Sequence, residues 1–322
     1  MSTPRHLVLA ALAFLLAASA AHAQEYPARP VRFVVPTSPG TGTDVTARFL
    51  VDRLPAELKG AYIVENKVGA NGIIAAEQVA KATADGYTLL VAASLHYVNK
   101  SLYDKLSYDP VKDFRPIARV SVLYLALVVP ASSPYENLSQ LIAAMKEKPG
   151  QITYASAGSG STTHLAPALL NSMTGTTALH VPYKGGAQAL IDTISGAVPM
   201  TFTAIATASS HLKAGRLMAL AVTGTRRSKS LPNIPTIAES GLPGYEIASS
   251  TGLVGPAGIP DQVVVRLSAA LRRIASTPAF AEFTELQGFE VDYAGPEQYA
   301  ADILKEVQHW AKVVAISGAK AN

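Results

Sequence analysis

The chain alternates between short apolar runs and stretches in which apolar residues recur every third or fourth position. VRFVV, residues 31–35, is apolar and rich in β-branched residues, which predicts a buried strand. The residues from Val45 to Leu58 have helical spacing. The other predicted strands are 62–65, 87–92, 123–129, 152–154, one ending near 180–181, 200–203, 219–222 and 251–254. The other predicted helices are 73–81, 138–146, 164–173, 187–195, 206–214, 261–276 and 296–317.

This alternation is typical of an α/β protein with helices packed on a parallel or mixed sheet. At 322 residues the chain is long enough for two domains. Two similar units, each a strand, a loop of small residues and a helix, are centred on the loops 36–44 and 155–163. We therefore expect two α/β lobes, each with one such loop. Pro, Gly and basic residues in 224–244 predict an exposed connection.

The N-terminus has the pattern of a secretory signal peptide. Arg5 precedes an apolar run at 7–20, and Ala21-His22-Ala23 has the small-x-small pattern of a cleavage site. The run is short of the roughly 20 residues that a membrane helix needs, which disfavours the alternative of a permanent anchor. We expect cleavage near Ala23 and export to the periplasm, with no direct membrane insertion.

Composition excludes several kinds of chemistry. The chain has no cysteine, so it has neither disulfides nor thiolate sites. The net charge of +4 is spread along the chain, with no basic run interleaved with aromatic residues, and nucleic acid is not an expected partner. The histidines beyond residue 23 lack the spacing of metal ligands, so no metal site is predicted.

Cofactor and hydrolase motifs are also missing. Gly40-x-Gly42 and Gly158-x-Gly160 lack the third glycine of a dinucleotide fingerprint, and no P-loop is present. We predict no cofactor. Ser161 and His164 lie one helical turn apart, but no Gly-x-Ser-x-Gly nucleophile elbow surrounds a serine. A periplasmic hydrolase is therefore disfavoured.

The two small-residue loops are candidate anion sites. A helix start leaves about four N–H groups without partners, and their partial positive charge attracts anions. Small residues let a ligand approach, and the hydroxyls of 36–44 and 155–163 add donors. The alternative is that Thr43, Asp44 or Thr163 simply caps its helix. The matched positions of the two loops favour a ligand site between the lobes.

A further stretch, HVPYKG at 180–185, places two polar side chains in a loop before a helix. Tyr183 can offer a hydroxyl to a ligand and Lys184 a charge. A half-buried tyrosine and a solvated lysine account for the pattern equally well, because amphipathic side chains often lie partly buried.

The chain resembles the periplasmic solute receptors of the Bug family, also called TctC-like tripartite tricarboxylate receptors, from about Tyr26 to the C-terminus. The motifs that carry the resemblance are PGTGTD (39–44), VENKVGANGIIAAEQVAKATADGYTLL (64–90), YDPVKDF (108–114), YASAGSGSTTHLA, HVPYKG, GRLMALAVTGTRR (215–227), LPNIPTIAESGLPGYE (231–246) and GLVGPAGIP (252–260).

The resemblance implies a two-lobed periplasmic-binding-protein fold (a type II Venus flytrap) with crossing hinge strands. Lobe 1 would comprise 24–124 plus 245–322, and lobe 2 would comprise 125–244. The implied function is non-catalytic: a monomer captures a small organic carboxylate for a transporter with two membrane subunits. The alternative is a receptor that signals to a two-component sensor. By motif position the ligand-binding residues would be Ser38, Gly40, Thr41, Thr43, Ser156, Gly158, Ser159, Ser161, Thr162, Tyr183 and Lys184.

Two departures from the family pattern bear on specificity. Thr41 and Gly42 replace the second glycine and the proline of the PGGPTD-type turn, and Thr41 adds a hydroxyl where a carboxylate should approach. Thr203 stands at a strand end that often carries Asp, an acid useful against an ammonium group. We therefore count Thr203 among the ligand-binding residues and expect a di-, tri- or aromatic carboxylate rather than an amino acid.

Overall fold

The computed structural model describes residues 26–319, so the predicted signal peptide, residues 1–23, lies outside the described residues. The strands are β1 Val31–Val35, β2 Tyr62–Asn66, β3 Thr88–Ala93, β4 Phe114–Pro130, β5 Thr153–Ser156, β6 Leu179–Pro182, β7 Thr201–Ala204, β8 Leu217–Val222, β9 Ala248–Pro256 and β10 Phe289–Ala294. The helices are α1 Gly42–Glu57, α2 Ile73–Ala80, α3 Ser94–Leu102, α4 Leu138–Glu147, α5 Thr162–Thr174, α6 Gly186–Ile194, α7 Ile205–Lys213, α8 Asp261–Ala275, α9 Pro278–Gln287 and α10 Pro296–Ser317.

The first sheet has the strand order β2-β1-β3-β9-β4, with β10 on the far edge of β4. β1 runs parallel to β2 and β3, and β9 is antiparallel to both β3 and β4. Every residue of β1 except Arg32 is buried, because helices cover both faces of the sheet. Together, β1 and the strands beside it place the starts of α1 and α3 at one edge of this sheet.

The second sheet contains β8, β4, β7, β5 and β6, and it shares β4 with the first. β4 is 17 residues long: its first part pairs with β9, and its last part, from Leu125, pairs with β7 and β8. The chain returns from the second sheet to the first between β8 and β9. Thr223 ties the two crossings together, since its N–H donates to the Leu125 carbonyl (2.9 Å) and its hydroxyl donates to the Ile247 carbonyl (2.6 Å).

The last helix, α10, contacts both halves of the molecule. It packs on α3 and β4 and also on α5, which belongs to the second sheet's half. Its Trp310 is buried within the largest apolar core, which takes residues from both halves. The carboxylate of Glu306 is buried beside it and accepts hydrogen bonds from Ser94, from Ser250 (3.1 Å) and from the Trp310 indole (3.3 Å).

The predicted elements are present with shifts of a few residues, but four features were not predicted. These are α3, α9, β10 and the first half of β4. In β4 the apolar pattern is interrupted by Pro116 and Arg119. Pro116 has no N–H to pair, and the register of β4 against β9 shifts beside it. Arg119 is held by Asp292 (2.9 Å) and Asp302 (2.8 Å).

The segment 224–244 is only partly the exposed connection that its composition predicts. Ile237 within it is fully buried, and its N–H donates to the Val222 carbonyl (2.9 Å). The prediction was wrong for this part because a segment rich in Pro and Gly gives no sequence signal for its single pairing with β8. Within residues 26–319, none of the helices combines the length and the apolarity that crossing a membrane requires.

Candidate functional site

The loop before α1 presents backbone donors at one edge of the first sheet. Ser38 and Gly40 are exposed, and Thr41 and Thr43 are half-buried. Thr41 precedes the helix but does not cap it: its hydroxyl pairs with that of Thr37 (2.6 Å) and donates to the Ser38 carbonyl (2.9 Å). The first N–H groups of α1 therefore have no side-chain cap, as the site hypothesis requires.

A buried carboxylate lies directly beneath this loop. Asp44, in the first turn of α1, is 1% exposed. It accepts hydrogen bonds from the Gly40 N–H (2.8 Å), Asn66 Nδ2 (2.8 Å) and Arg48 Nε (3.0 Å). Burial alone would raise the pKa of Asp44, but the bonds from Arg48, Asn66 and Gly40 hold it below its ordinary value. The start of α1 thus already has an anion of its own.

The loop before α5 has a different internal structure. Ser161 caps α5, accepting from the His164 N–H (3.3 Å) and donating to the Gly158 carbonyl (2.6 Å). The N–H of Ala157 donates to Thr163 Oγ1 (2.9 Å). The first turn of α5 contains no acidic residue. Thr162 and the exposed Ser159 stand at the start of this helix, where an external anion is favoured.

Two stacked imidazoles support the α5 loop from behind. The rings of His164 and His180 are 3.9 Å apart and nearly parallel. His164 Nδ1 accepts from the Gly160 N–H (3.0 Å), and His180 Nε2 lies 2.6 Å from Ser156 Oγ. Burial, with a smaller contribution from His180, lowers the pKa of His164 to about 4. The ring is therefore neutral at pH 7 and can accept the Gly160 hydrogen bond.

Two further helices start directly at strand ends beside these loops. α3 follows β3, which neighbours β1, and α7 follows β7, which neighbours β5. Thr203 is buried two residues before α7. Each half thus contributes two helix N-termini at the carboxyl edge of its parallel strands, which is where α/β folds bind ligands. α3 was not predicted, although Leu95, Val98 and Leu102 have helical spacing that could have revealed it.

The two halves contact each other at Gly288 and at Gly160. Gly288 packs so closely on Ala206 of α7 that a Cβ added to it would lie 2.6 Å from the Ala206 nitrogen, and the neighbouring Phe289 ring packs on Gly42 of α1 within the first half. A Cβ on Gly160 would lie 3.0 Å from Leu102 of α3. These contacts bring the start of α1 near the start of α7, and the loop before α5 near the end of α3.

Tyr183 and Lys184 lie at the edge of the second half, beside Gly158. The Tyr183 hydroxyl donates to Asp192 (2.7 Å), and this bond raises the pKa of Tyr183. Lys184 is exposed. Tyr183 can still accept a hydrogen bond from a ligand, but its proton is committed to Asp192.

The first half of the cleft contains a pocket of about 340 Å³ between the α1 loop, the turn before α2 and the start of α3. Its lining comprises Pro36, Thr37, Ser38, Thr41, Val68, Gly69, Asn71, Gly72, Leu90, Ala93, Leu95 and His96. A larger cavity of about 630 Å³ lies beside the crossing strands, where Arg119 pairs with Asp292 and with Asp302. Those ion pairs give these three charged residues of the lining a structural role. Among residues 26–319, no group of acidic and histidine side chains is arranged to hold a metal ion.

Residues 46–318 match the family described as the tripartite tricarboxylate transporter family receptor. The chain belongs to this family. The predicted family is therefore confirmed, and because its members are receptors, so is the prediction that the chain is not an enzyme. The receptor is 34% identical to Protein BugT of Bordetella pertussis over 300 residues, which is 92% of each chain.

Solved structures agree with this assignment. The receptor superposes on R. palustris Rpa4515 with adipate with a TM-score of 0.80 at 33% identity, covering 92% of this chain and 99% of the other. It superposes on MatC from Rhodopseudomonas palustris with bound malate with a TM-score of 0.75 at 31% identity, covering 90% and 100%. The predicted two-lobed α/β fold with crossing strands is confirmed. We call the halves lobe 1, with the first sheet, and lobe 2, with the second.

Proposed function

We propose that this receptor captures a small organic carboxylate between its lobes and delivers it to a transporter with two membrane subunits. The observation that carries the proposal is that each lobe starts two helices at the carboxyl edge of its parallel strands, and that Gly288 and Phe289 contact the starts of α7 and α1 side by side. Such helix starts bind carboxylates through backbone N–H groups. The bound adipate and malate of two related proteins support a carboxylate as the class of ligand.

The contacts we propose follow from which groups remain available. Ser159 and Thr162 would bind the carboxylate from lobe 2, while Gly158, whose N–H already donates to Ser156 Oγ (3.0 Å), would leave room for it. From lobe 1, we propose contacts with the ligand by Ser38, Thr41 and Thr43, while Gly40, whose N–H already donates to Asp44, would leave room for the ligand. Ser156 and Ser161 act differently in this proposal, because their hydroxyls hold the loop in shape through His180 and Gly158. Tyr183, Lys184 and Thr203 would complete the rim of the site.

We propose that the receptor works in the periplasm as a monomer after cleavage near Ala23, with lobe boundaries near residues 124 and 244. The signal-peptide pattern of the first 23 residues supports export. The family description supports the transport role over the sensing role.

Calorimetry on the mature chain tests the carboxylate site, using a panel of mono-, di- and tricarboxylates with the amide of each acid as its neutral control. We expect at least one acid to bind while its amide does not. At a hundred times its Kd such a ligand should stabilise the fold by about 2.7 kcal/mol, seen as a higher melting temperature. Equal behaviour of every acid and its amide would overturn the proposal.

A matched pair of variants locates the carboxylate. Ser159→Asp places a negative charge at the open start of α5, and we expect it to weaken binding at least about tenfold by repulsion. Ser159→Asn matches Asp in size but has no charge, and it should bind the acid about tenfold or more tightly than Ser159→Asp does. If both variants bind equally well, the carboxylate does not lie at α5.

A further inference from the structure

The lobe 1 pocket has no ionised side chain in its lining. The lining contains no lysine, arginine, aspartate or glutamate, and its one titratable group is His96. Burial lowers the pKa of His96 to about 3, so the ring is neutral at the pH of a living cell. A ligand carboxylate placed in this pocket would meet no counter-charge from a side chain. A charge that leaves water without a partner costs free energy, which weakens binding.

Three polar side chains of the pocket, Thr37, Thr41 and Asn71, already have hydrogen-bond partners. The hydroxyls of Thr37 and Thr41 pair at 2.6 Å, and Thr41 donates onward to the Ser38 carbonyl. The Asn71 amide donates to the Tyr103 hydroxyl (3.0 Å). An entering group must break these bonds or leave them intact, and an apolar group leaves them intact.

Apolar side chains supply much of the remaining lining. Pro36, Leu90, Ala93 and Leu95 face the pocket, and Val68 stands at it with 55% of its surface exposed. Water-exposed apolar surface inside a concave pocket is surface that an apolar ligand group can cover.

The charges of the two lobes orient a ligand with one anionic end. Ionised Asp44 lies in the first turn of α1, beside the pocket, whereas α5 has no acid in its first turn. The positive end of α1 is thus partly offset by its own residue, and the positive end of α5 is not. Because Asp44 is itself paired with Arg48 (3.0 Å), the offset is partial, and an anionic group is favoured more at the start of α5 than at the start of α1.

From these observations we propose that the ligand is a monocarboxylate with an uncharged, largely apolar tail, either a short aliphatic acid or an aromatic acid. Its carboxylate lies at the start of α5 and its tail fills the lobe 1 pocket. This inference rests on the proposed function of the same cleft, and it narrows the expected ligands from di-, tri- or aromatic carboxylates to acids with a single charge.

Two pairs of acids with equal carbon skeletons test the inference by calorimetry on the mature chain: hexanoate against adipate, and 4-methylbenzoate against terephthalate. In at least one pair we expect the monocarboxylate to bind about tenfold or more tightly, because the second charge would enter a pocket without a charged side chain. A dicarboxylate that binds as tightly as its partner, or more tightly, in both pairs overturns the inference and leaves the carboxylate-receptor function standing. Failure of all four acids overturns the inference, and failure of the wider carboxylate panel is needed to overturn the function.

A charge introduced at the pocket tests whether the tail of the ligand lies there, which affinities for the wild type alone do not show. Val68→Arg puts a cation at the pocket, and it should raise the affinity for adipate relative to hexanoate by about tenfold. Val265→Arg is the matched control, because Val265 is a 62% exposed valine on α8, outside the pocket lining. If the two variants give the same ratio and both keep the wild-type circular dichroism spectrum, the tail does not occupy the pocket.

Discussion

The loops that begin α1 and α5 occupy matching positions in the two lobes, yet they satisfy their backbone groups by opposite means. The α1 loop folds over ionised Asp44, which accepts the Gly40 N–H. The α5 loop folds over neutral His164, which accepts the Gly160 N–H. Both loops are rich in Gly, Ser and Thr, so their sequences look alike. The difference teaches that the charge of a helix start depends on the residue beneath the loop, and here it leaves α5 as the better anion site.

The largest expected effect is a loss of folding stability at low pH that originates in the α5 loop. The folded protein holds the pKa of His164 near 4, below its ordinary 6.5, so the unfolded chain binds the proton more tightly between these values. The folded state therefore loses stability as the pH falls through this window. Between about pH 7.5 and about pH 4.5 this single group should cost about 2–3 kcal/mol.

Urea unfolding at several pH values checks this expectation, with His164→Asn as the variant. Asn keeps a hydrogen-bond acceptor near the Gly160 N–H but does not titrate. Wild type should lose about 2–3 kcal/mol more than the variant over the same pH range. Parallel pH profiles for the two proteins would show that the imidazole does not support the loop as described.

The stability that the α1 loop contributes should depend on pH in a different range. Asp44→Asn removes a buried charge that accepts three hydrogen bonds, and it should cost about 2 kcal/mol at neutral pH because Arg48 loses its ionic partner. The folded pKa lies below the ordinary 3.8, so this stabilisation is present above 3.8 and is lost as the pH falls below it.

The measurement is again the free energy of unfolding, at neutral pH and near pH 3. Asp52→Asn, an exposed change on the same helix, is the control and should alter stability by only a few tenths of a kcal/mol. Equal costs for Asp44→Asn and Asp52→Asn would contradict the role given to Asp44.

The smallest expected change in stability concerns Thr41 and Ser161, the residues that precede α1 and α5. Ser161 caps α5 through its hydroxyl, whereas Thr41 makes no such bond to α1. Ser161→Ala should therefore cost about 1 kcal/mol, the usual value of a helix cap, and Thr41→Ala only a few tenths. Thermal unfolding of both variants under one set of conditions decides the matter. A Thr41→Ala cost equal to that of Ser161→Ala would mean that the two loops are stabilised alike.

Apolar periodicity was sufficient to predict most of the fold. The helix α3 was not recognised, because buried polar residues lie between Leu95, Val98 and Leu102, which do have helical spacing. His96 packs against Tyr108 and Phe114, and Asn99 donates to the Asn71 carbonyl (3.0 Å). These partners come from other parts of the chain, so local periodicity contains no sign of them.

The candidate site, like the fold, was predicted where local sequence determines it and missed where residues distant in sequence come together. The two loops could be recognised because a run of small residues between a strand and a helix adds little to a core and leaves room for a ligand. The role of Ser156 was not predictable, because its partner His180 lies 24 residues away. The lobe 1 pocket was missed because its apolar lining is assembled from three separate segments, around Pro36, Val68 and Leu95.

The position of β9 also governs the order in which the molecule can assemble. β9 lies between β3 and β4 in the first sheet, yet its residues follow every strand of the second sheet in the chain. Lobe 2 can therefore complete its sheet from one continuous stretch, whereas lobe 1 needs partners far apart in sequence, which slows folding. When the chain becomes available from its N-terminus onward, lobe 2 can therefore complete its sheet before lobe 1 does, although lobe 1 begins earlier in the sequence.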